Sequence, residues 1–273
     1  LFVEKAENLN PRYLSMIIPS RWFAGGMGMD AFRNKMMNDT HITRLVDYAN
    51  AKDCFPENSI SGGVCYFLRE RDNAGKCKVT NIYNNKTIAM TRPLNEFPTL
   101  VRYNEAVEIV RKVFSKNEMR MSTSVSSISP FGLSTKERGK SKRTADCNIR
   151  LFSSVGAGYI SFSQITKGTE YVEKYKVMIS QTSAEHAGEP GKDGKYHILT
   201  SSMKVLYPKE VCTHSYLVIG PYNDELTAQN TLNYLKTKFV RFLLLQALTS
   251  IHLTKSTFKT VDRRRTLCKI WIN

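Results

Sequence analysis

Over the first ninety residues the apolar positions switch between helical and strand periods. Phe2, Val3 and Ala6 share one side of a short helix that Asn10-Pro11 closes. Tyr13-Leu14-Ser15-Met16-Ile17-Ile18 follows as a nearly continuous apolar run ended by Pro19, the pattern of a strand buried on both faces. Met29, Phe32 and Met36 return at helical spacing behind Gly28, with Asp30 in the first turn, and Arg44-Leu45-Val46-Asp47-Tyr48 reads as strand again. A polar stretch, residues 49–62, leads to a third strand, Gly63-Val64-Cys65-Tyr66-Phe67-Leu68, and residues 77–83 and 86–90 pair as a hairpin about Asn84 and Asn85. The succession predicts an α/β sheet.

Beyond residue 91 the pattern changes. Asn104 is the expected cap of a helix with Glu105 and Glu108 early, Arg111, Lys112 and Lys116 late, and Val107, Val110 and Phe114 facing inward. Residues 121–143 are rich in Ser, Thr, Gly and Lys, which predicts a mobile segment carrying Lys136, Arg138, Lys140, Lys142 and Arg143. Strand-like runs at residues 148–152, 159–165, 175–179, 196–199 and 216–219 predict a mixed, β-rich module. Asn223 is then expected to cap one long helix, with Leu232, Leu235, Phe239, Phe242 and Leu243 on a single stripe.

Charge adds the first functional constraint. In 273 residues, 40 Lys and Arg oppose 24 Asp and Glu, a formal net charge of +16, and these basic residues recur along the whole chain. That distribution favours a nucleic acid over a membrane surface, which is bound by cations concentrated along one amphipathic helix. No apolar run approaches the ~20 residues that span a bilayer. The six cysteines, 54, 65, 77, 147, 212 and 268, are scattered without a paired spacing, and the histidines form no metal-ligand pair. The expectation is therefore reduced thiols, no metal site and a cytoplasmic protein, a signal layout being absent as well.

Candidate chemistry is sparse. Gly25-Gly26-Met27-Gly28 lacks the Lys and Ser/Thr of a phosphate loop and reads as a helix entry, and Gly188 to Gly194 reads as a loop tip. No Ser-His-Asp order or paired carboxylates suggest hydrolysis. Asp53-Cys54-Phe55-Pro56 is more informative, because an aromatic ring beside a proline at a strand edge can act as a stacking platform, although most Phe rings are buried for packing.

The succession of residues 13–18, Pro19-Ser20-Arg21-Trp22-Phe23, Leu45-Val46-Asp47-Tyr48, Asp53-Cys54-Phe55-Pro56 and residues 62–68 resembles adenine-specific (N6) DNA methyltransferases of restriction-modification systems. The similarity is to the TaqI-like, gamma-order branch and its fused restriction-methylase relatives. Val211-Cys212-Thr213-His214-Ser215-Tyr216-Leu217-Val218-Ile219-Gly220 and residues 234–244 resemble the target-recognition part of the same proteins. The resemblance implies an α/β fold: the distal half of a Rossmann-like methyltransferase sheet (residues 1–90), then a mixed α+β DNA target-recognition domain (91–261) and a divergent basic tail (262–273). Residues 13–18 would be the family's fifth strand, 45–48 its sixth and 63–68 its reversed seventh.

In that family an Asn-Pro-Pro-Tyr motif holds the target amino group and a Gly-containing loop binds S-adenosylmethionine. Neither motif occurs in this sequence. The resemblance therefore implies that no S-adenosylmethionine is bound by this chain alone, that no catalytic residue lies in it, and that a missing N-terminal catalytic half acts as partner in trans. Phe55, with Pro56, falls on the family's Phe-Pro position, whose ring stacks on the flipped-out adenine. Double-stranded DNA is the expected partner, with Arg21, Lys136, Arg138, Lys140, Lys142 and Arg143 as contacts. A non-catalytic DNA sequence-recognition module is the competing expectation.

Overall fold

The computed structural model describes residues 2–24, 28–58, 60–182, 198–200, 202–248 and 252–263. Its contacts divide these into two compact units, one holding residues up to 116 together with 245–248, the other 117–182, 198–244 and 252–263. Residues 25–27 of the first glycine cluster, the cluster at 188–194, the first two residues of the expected strand at 196–199 and residues 264–273 of the basic tail lie outside the described residues.

In the first unit the elements are α1 (Phe2–Asn8), β1 (Tyr13–Pro19), α2 (Asp30–Asn38), β2 (Ile42–Tyr48), β3 (Val64–Glu70), β4 (Cys77–Tyr83), β5 (Lys86–Arg92) and α3 (Val107–Phe114). The strands form one sheet in the order β1-β3-β2-β4-β5, with β3 antiparallel to both neighbours, β2 parallel to β4, and β4 antiparallel to β5. Asn84 and Asn85 both take positive φ, 48° and 59°, the conformation a two-residue hairpin of this twist requires.

Strand register explains the core. Met16, Phe67, Leu45, Val79 and Met90 are paired in one row across all five strands, and Trp22, Phe23, Met36 and Leu100 pack in the same cluster as the row's central residues. The next row is Ile18, Cys65, Asp47, Asn81 and Ile88, so two polar side chains stand on the buried face. Asp47 is met by Arg102, whose Nε and Nη2 donate to its two oxygens at 2.7 and 2.9 Å, and by the Ser20 hydroxyl at 2.9 Å. Burial opposes the Arg102 charge, and the Asp47 carboxylate more than offsets it, holding the guanidinium pKa above its ordinary value. Asn81 donates to the Arg102 carbonyl at 2.9 Å and accepts from the Asn104 N–H at 2.9 Å.

Several sequence expectations are corrected here. β1 is not buried on both faces: Leu14, Met16 and Ile18 are half-buried against the core while Tyr13, Ser15 and Ile17 on the opposite face are exposed, and the strand is an edge, paired with β3 alone among the described residues. Phe2, Val3 and Ala6, expected on one side of α1, are not buried alike: Val3 is buried, Ala6 half-buried and Phe2 80% exposed. Asn104 does not cap α3; its amide reaches the Val79 and Ile88 carbonyls at 2.9 and 3.0 Å, and Val113 is buried where Phe114 was expected to be.

The second unit contains β6 (Ile149–Ser153), β7 (Gly156–Ile160), β8 (Tyr175–Ser180), β9 (Lys204–Leu206), β10 (Glu210–Cys212), β11 (Tyr216–Tyr222), α4 (Glu225–Leu235) and, up to Leu244, α5 (Lys238–Gln246). Two three-stranded sheets result, β10-β6-β7 and β11-β8-β9. The short strands β9 and β10 have too few residues to show a period, which is why the sequence pattern misses them. Residues 161–165 leave β7 in a turn where Ser161 and Gln164 form a capping box, ending the strand earlier than its apolar pattern suggests.

The expected single helix is two. Asp224, not Asn223, caps α4, accepting from the Thr227 N–H at 2.8 Å and hydroxyl at 2.9 Å, bonds that hold its carboxyl below the ordinary range. Thr237 ends that helix by donating to the Tyr234 carbonyl at 2.7 Å and starts α5 by accepting from the Val240 N–H at 3.3 Å. Residues 121–143 are not a mobile segment either. Phe131 and Leu133 are buried, the Ser126 N–H donates to the Val218 carbonyl, and Lys140 pairs with Tyr159.

A buried ion pair is costly to break because the surviving charge has no water, so Asp47→Ala is expected to destabilise the first unit by about 3–5 kcal/mol. Urea unfolding should show this midpoint falling far more than for Asp72→Asn, which disturbs an exposed pair with Arg71.

Lys176 yields a second prediction. It is fully buried and donates to the carbonyls of Val172, Lys174 and Tyr207 at 3.2, 2.9 and 2.9 Å, while burial lowers its pKa from 10.5 to about 8. Between those two values the unfolded chain binds more protons than the folded one, so this residue's contribution makes stability rise with pH. Below about 8 the lysine is charged in both states and the contribution is constant. Thermal melts across that window should show a rise that Lys176→Met flattens.

Candidate nucleic-acid interface

In the first unit β1 and β2 run the same way, and Pro19 and Tyr48 both stand in register with Val64, the first residue of β3. The chain therefore leaves β1 and β2 at the same end of the sheet. A 3-10 turn, Ser20–Phe23, follows β1 and carries Arg21 on its exposed side between buried Ser20 and Trp22. A second, Ala51–Asp53, follows β2 and leads into Phe55. Asn50 starts this turn, its side chain accepting from the Lys52 N–H at 3.0 Å, and the Phe55 N–H donates to the Ala51 carbonyl at 2.7 Å. Phe55 is half-buried and Pro56 exposed.

Gly63 holds this strand end together. It has φ +77°, and a Cβ there would stand 2.2 Å from the Tyr48 carbonyl oxygen and 2.6 Å from Arg102 Nη2. A side chain is excluded, and the Ser20 N–H donates to the Gly63 carbonyl at 3.0 Å. Tyr48 is half-buried, its ring 6.4 Å from that of Tyr66, and burial together with Tyr66 raises its pKa.

In the second unit Lys136, Arg138, Lys140, Lys142 and Arg143 are all exposed. Arg69, Arg102 and Arg111 each meet a carboxylate, whereas none of these five cations forms an ion pair among the described residues. The segment is pinned to the edge of β7: the Lys140 N–H donates to the Tyr159 carbonyl at 2.7 Å and the Tyr159 N–H returns a bond to Lys140 at 2.8 Å. Lys136, Arg138 and Lys140 line one cleft of about 360 Å³ with Tyr159 and Gln164, and Lys142 and Arg143 do not line it.

Of the residues expected to contact DNA, the structure brings Lys136, Arg138 and Lys140 to one cleft and places Arg21, with Phe55, in the first unit. Sequence reasoning did not single out Tyr159, Gln164, Gly139 or Gly158 beside those cations; the Gly-Ala-Gly run opening β7 is a signal for Gly158 alone. It also missed Arg102 as the partner of Asp47, since nothing local marks an arginine 55 residues away. Among the described residues no group of three or more His, Cys, Asp or Glu could hold a metal ion.

Comparison with known proteins adds the following. Residues 1–55 match the profile of the family described as Eco57I restriction-modification methylase. An "Uncharacterized adenine-specific methylase" of Mycoplasma pneumoniae (strain ATCC 29342 / M129 / Subtype 1) is 35% identical over 86 residues, 31% of this chain and 20% of the relative. The chain thus spans one fifth of that relative's length. Among solved structures, the type IIG restriction endonuclease BpuSI aligns over 90% of this chain and 39% of its own, with TM-score 0.32 and 12% identity. The type IIL restriction-modification enzyme MmeI, solved in complex with DNA, aligns over 90% of this chain and 38% of its own, with TM-score 0.42 and 8% identity. The N-terminal part of this chain, through β2 to Phe55, is thus similar to restriction-modification methylases by family profile, and an 86-residue stretch of the chain is similar to an adenine-specific methylase.

Proposed function

We propose that this chain is the C-terminal portion of a site-specific DNA adenine-N6 methyltransferase of a restriction-modification system. Residues 1–90 would be the distal part of its catalytic sheet and 91–261 its DNA target-recognition domain. The observation that carries the reading is the family match over residues 1–55, which ends on Phe55, a half-buried ring at the sheet end from which β1 and β2 both exit. The order β1-β3-β2 with a reversed middle strand supports it.

In this reading Phe55 stacks on the extruded adenine and Pro56 stiffens the loop that presents it. A base inside a duplex is out of reach of a methyl donor until it swings out, and an aromatic face replaces part of the lost stacking. Arg21, with the cations of the second unit, takes backbone phosphates. S-adenosylmethionine supplies the methyl group in such reactions. The cleft lined by Lys136, Arg138 and Lys140 does not fit that donor, because its cations repel a sulfonium. The amino-group contacts and the donor site are assigned to a partner catalytic half.

Two measurements test this. Duplex DNA binding is expected to weaken linearly in log affinity against log salt, with a slope of about −0.9 per phosphate neutralised, and salt-independent binding would refute the reading. Methyl transfer to duplex DNA, assayed with the catalytic half supplied in trans, is expected to fall about 5- to 150-fold in Phe55→Ala, the equivalent of one base-aromatic stack of ~1–3 kcal/mol. An unchanged rate would remove Phe55 from the pocket.

A further inference from the structure

We infer that the cleft at the β7 edge is a subsite for one phosphodiester of the DNA backbone, held open by a pair of facing glycines. The identity of the ligand rests on the reading of the protein as a duplex binder; the site itself rests on geometry.

The cleft has the wrong lining for a cofactor pocket. At about 360 Å³ it lies at the low end of the ~300–1,000 Å³ range of small-molecule sites, which are walled mostly by apolar and aromatic groups. Here the lining is three cations, Tyr159, Gln164, Gly139 and Cys147, with Glu137 the one carboxylate. Gln164 spends its amide oxygen on the Ser161 N–H at 3.0 Å, which leaves its Nε2 donors for a ligand. Arg138 uses Nη1 on the Thr135 and Glu137 carbonyls at 2.6 and 2.9 Å, so its side chain is held in one orientation with further N–H groups to spare. A set of donors with a surplus of positive charge suits an anion of tetrahedral oxygens.

The glycines fix where those donors stand. A Cβ on Gly158 would lie 2.0 Å from the Arg138 carbonyl oxygen. One on Gly139, at φ +70°, would lie 2.7 and 2.8 Å from the Tyr159 carbonyl oxygen and nitrogen. Each strand of the contact is bare where it meets the other, and the close approach turns an otherwise loose basic loop into an added edge of the sheet. Gly139 and Gly158 are thus positioning residues for the phosphate contacts of Lys136, Arg138 and Lys140.

Gly158→Ala tests this without altering net charge. A diffuse electrostatic role predicts an unchanged salt slope; the subsite predicts a loop lifted off β7 and a slope smaller in magnitude by about one to two, with the thermal midpoint near that of the wild type. The double variant Lys136→Ala/Lys140→Ala should lose about 1.8 from the slope, as two phosphate contacts at about 0.9 each require, and serves if Gly158→Ala does not fold. A slope unchanged in the double variant, while the wild-type protein binds duplex, overturns the subsite and leaves the proposed function standing. Diethyl phosphate titrated into isotope-labelled protein gives the independent arm: shifts at the Lys140 and Tyr159 amides that the double variant loses support the site even if duplex binding fails, and their absence overturns it.

Discussion

The Arg102–Asp47 pair is the constraint around which the first unit is arranged. Asp47 occupies the buried face of the central strand, in the row next to Leu45, where an apolar residue would have packed. A carboxylate there is tolerated only with both oxygens satisfied, and the two-pronged guanidinium bond plus the Ser20 hydroxyl achieves that. The partners come from three separate places: the central strand, the turn after β1 and the segment before α3. One charge pair therefore ties the exits of two strands to a distant segment, and Gly63 passes between them because it has no side chain. In the proposed reading the loop that carries Phe55 gains from this anchor at its base, in addition to its own turn, where the Asp53, Cys54 and Phe55 N–H groups donate to the Asn50 and Ala51 carbonyls.

Polar burial runs differently in the second unit. Lys176 forms no ion pair among the described residues; its ammonium donates instead to three carbonyls, those of Val172 and Lys174 before β8 and of Tyr207 after β9. Those carbonyls come from turns that no ladder satisfies, so the lysine closes loops rather than joining strands. Arg150 of the same unit meets Glu210 at 3.6 Å, whereas the exposed Lys136, Arg138, Lys140, Lys142 and Arg143 form no ion pair among the described residues, so positive charge here is spent on internal carbonyls, on a carboxylate, or on neither.

Legibility followed how local each cause was. The hairpin at Asn84 and Asn85, the helix over Asp30–Asn38 and the strands β2, β3, β8 and β11 were readable because neighbouring residues determine them. Asn104 was misassigned because a residue suited to capping also suits buried amide bonding, and which role it takes depends on β4 and β5 arriving beside it. Thr237 splits a helix whose apolar stripe continues without interruption; the stripe records burial, whereas the break records a hydroxyl that can serve both helix ends. The basic segment was legible as charge but not as structure, since its order comes from a close approach to Gly158 that lies 20 residues from Arg138 in sequence.

The misreading of β1 is the most instructive, because the residues themselves were read correctly. Tyr13, Leu14, Met16, Ile17 and Ile18 have the composition of a strand covered on both faces, and the structure gives it one neighbour, with Ile17 46% exposed opposite Tyr66 at 38%. An edge strand of this composition is a liability in a self-sufficient domain, where charges, prolines or bulges ordinarily blunt the edge. Pro19 sits only at its very end. Two separate surfaces of β1 are therefore uncovered among the described residues, the face that carries Tyr13 and Ile17 and the edge away from β3, and in the proposed reading both are where the rest of a catalytic sheet would pack.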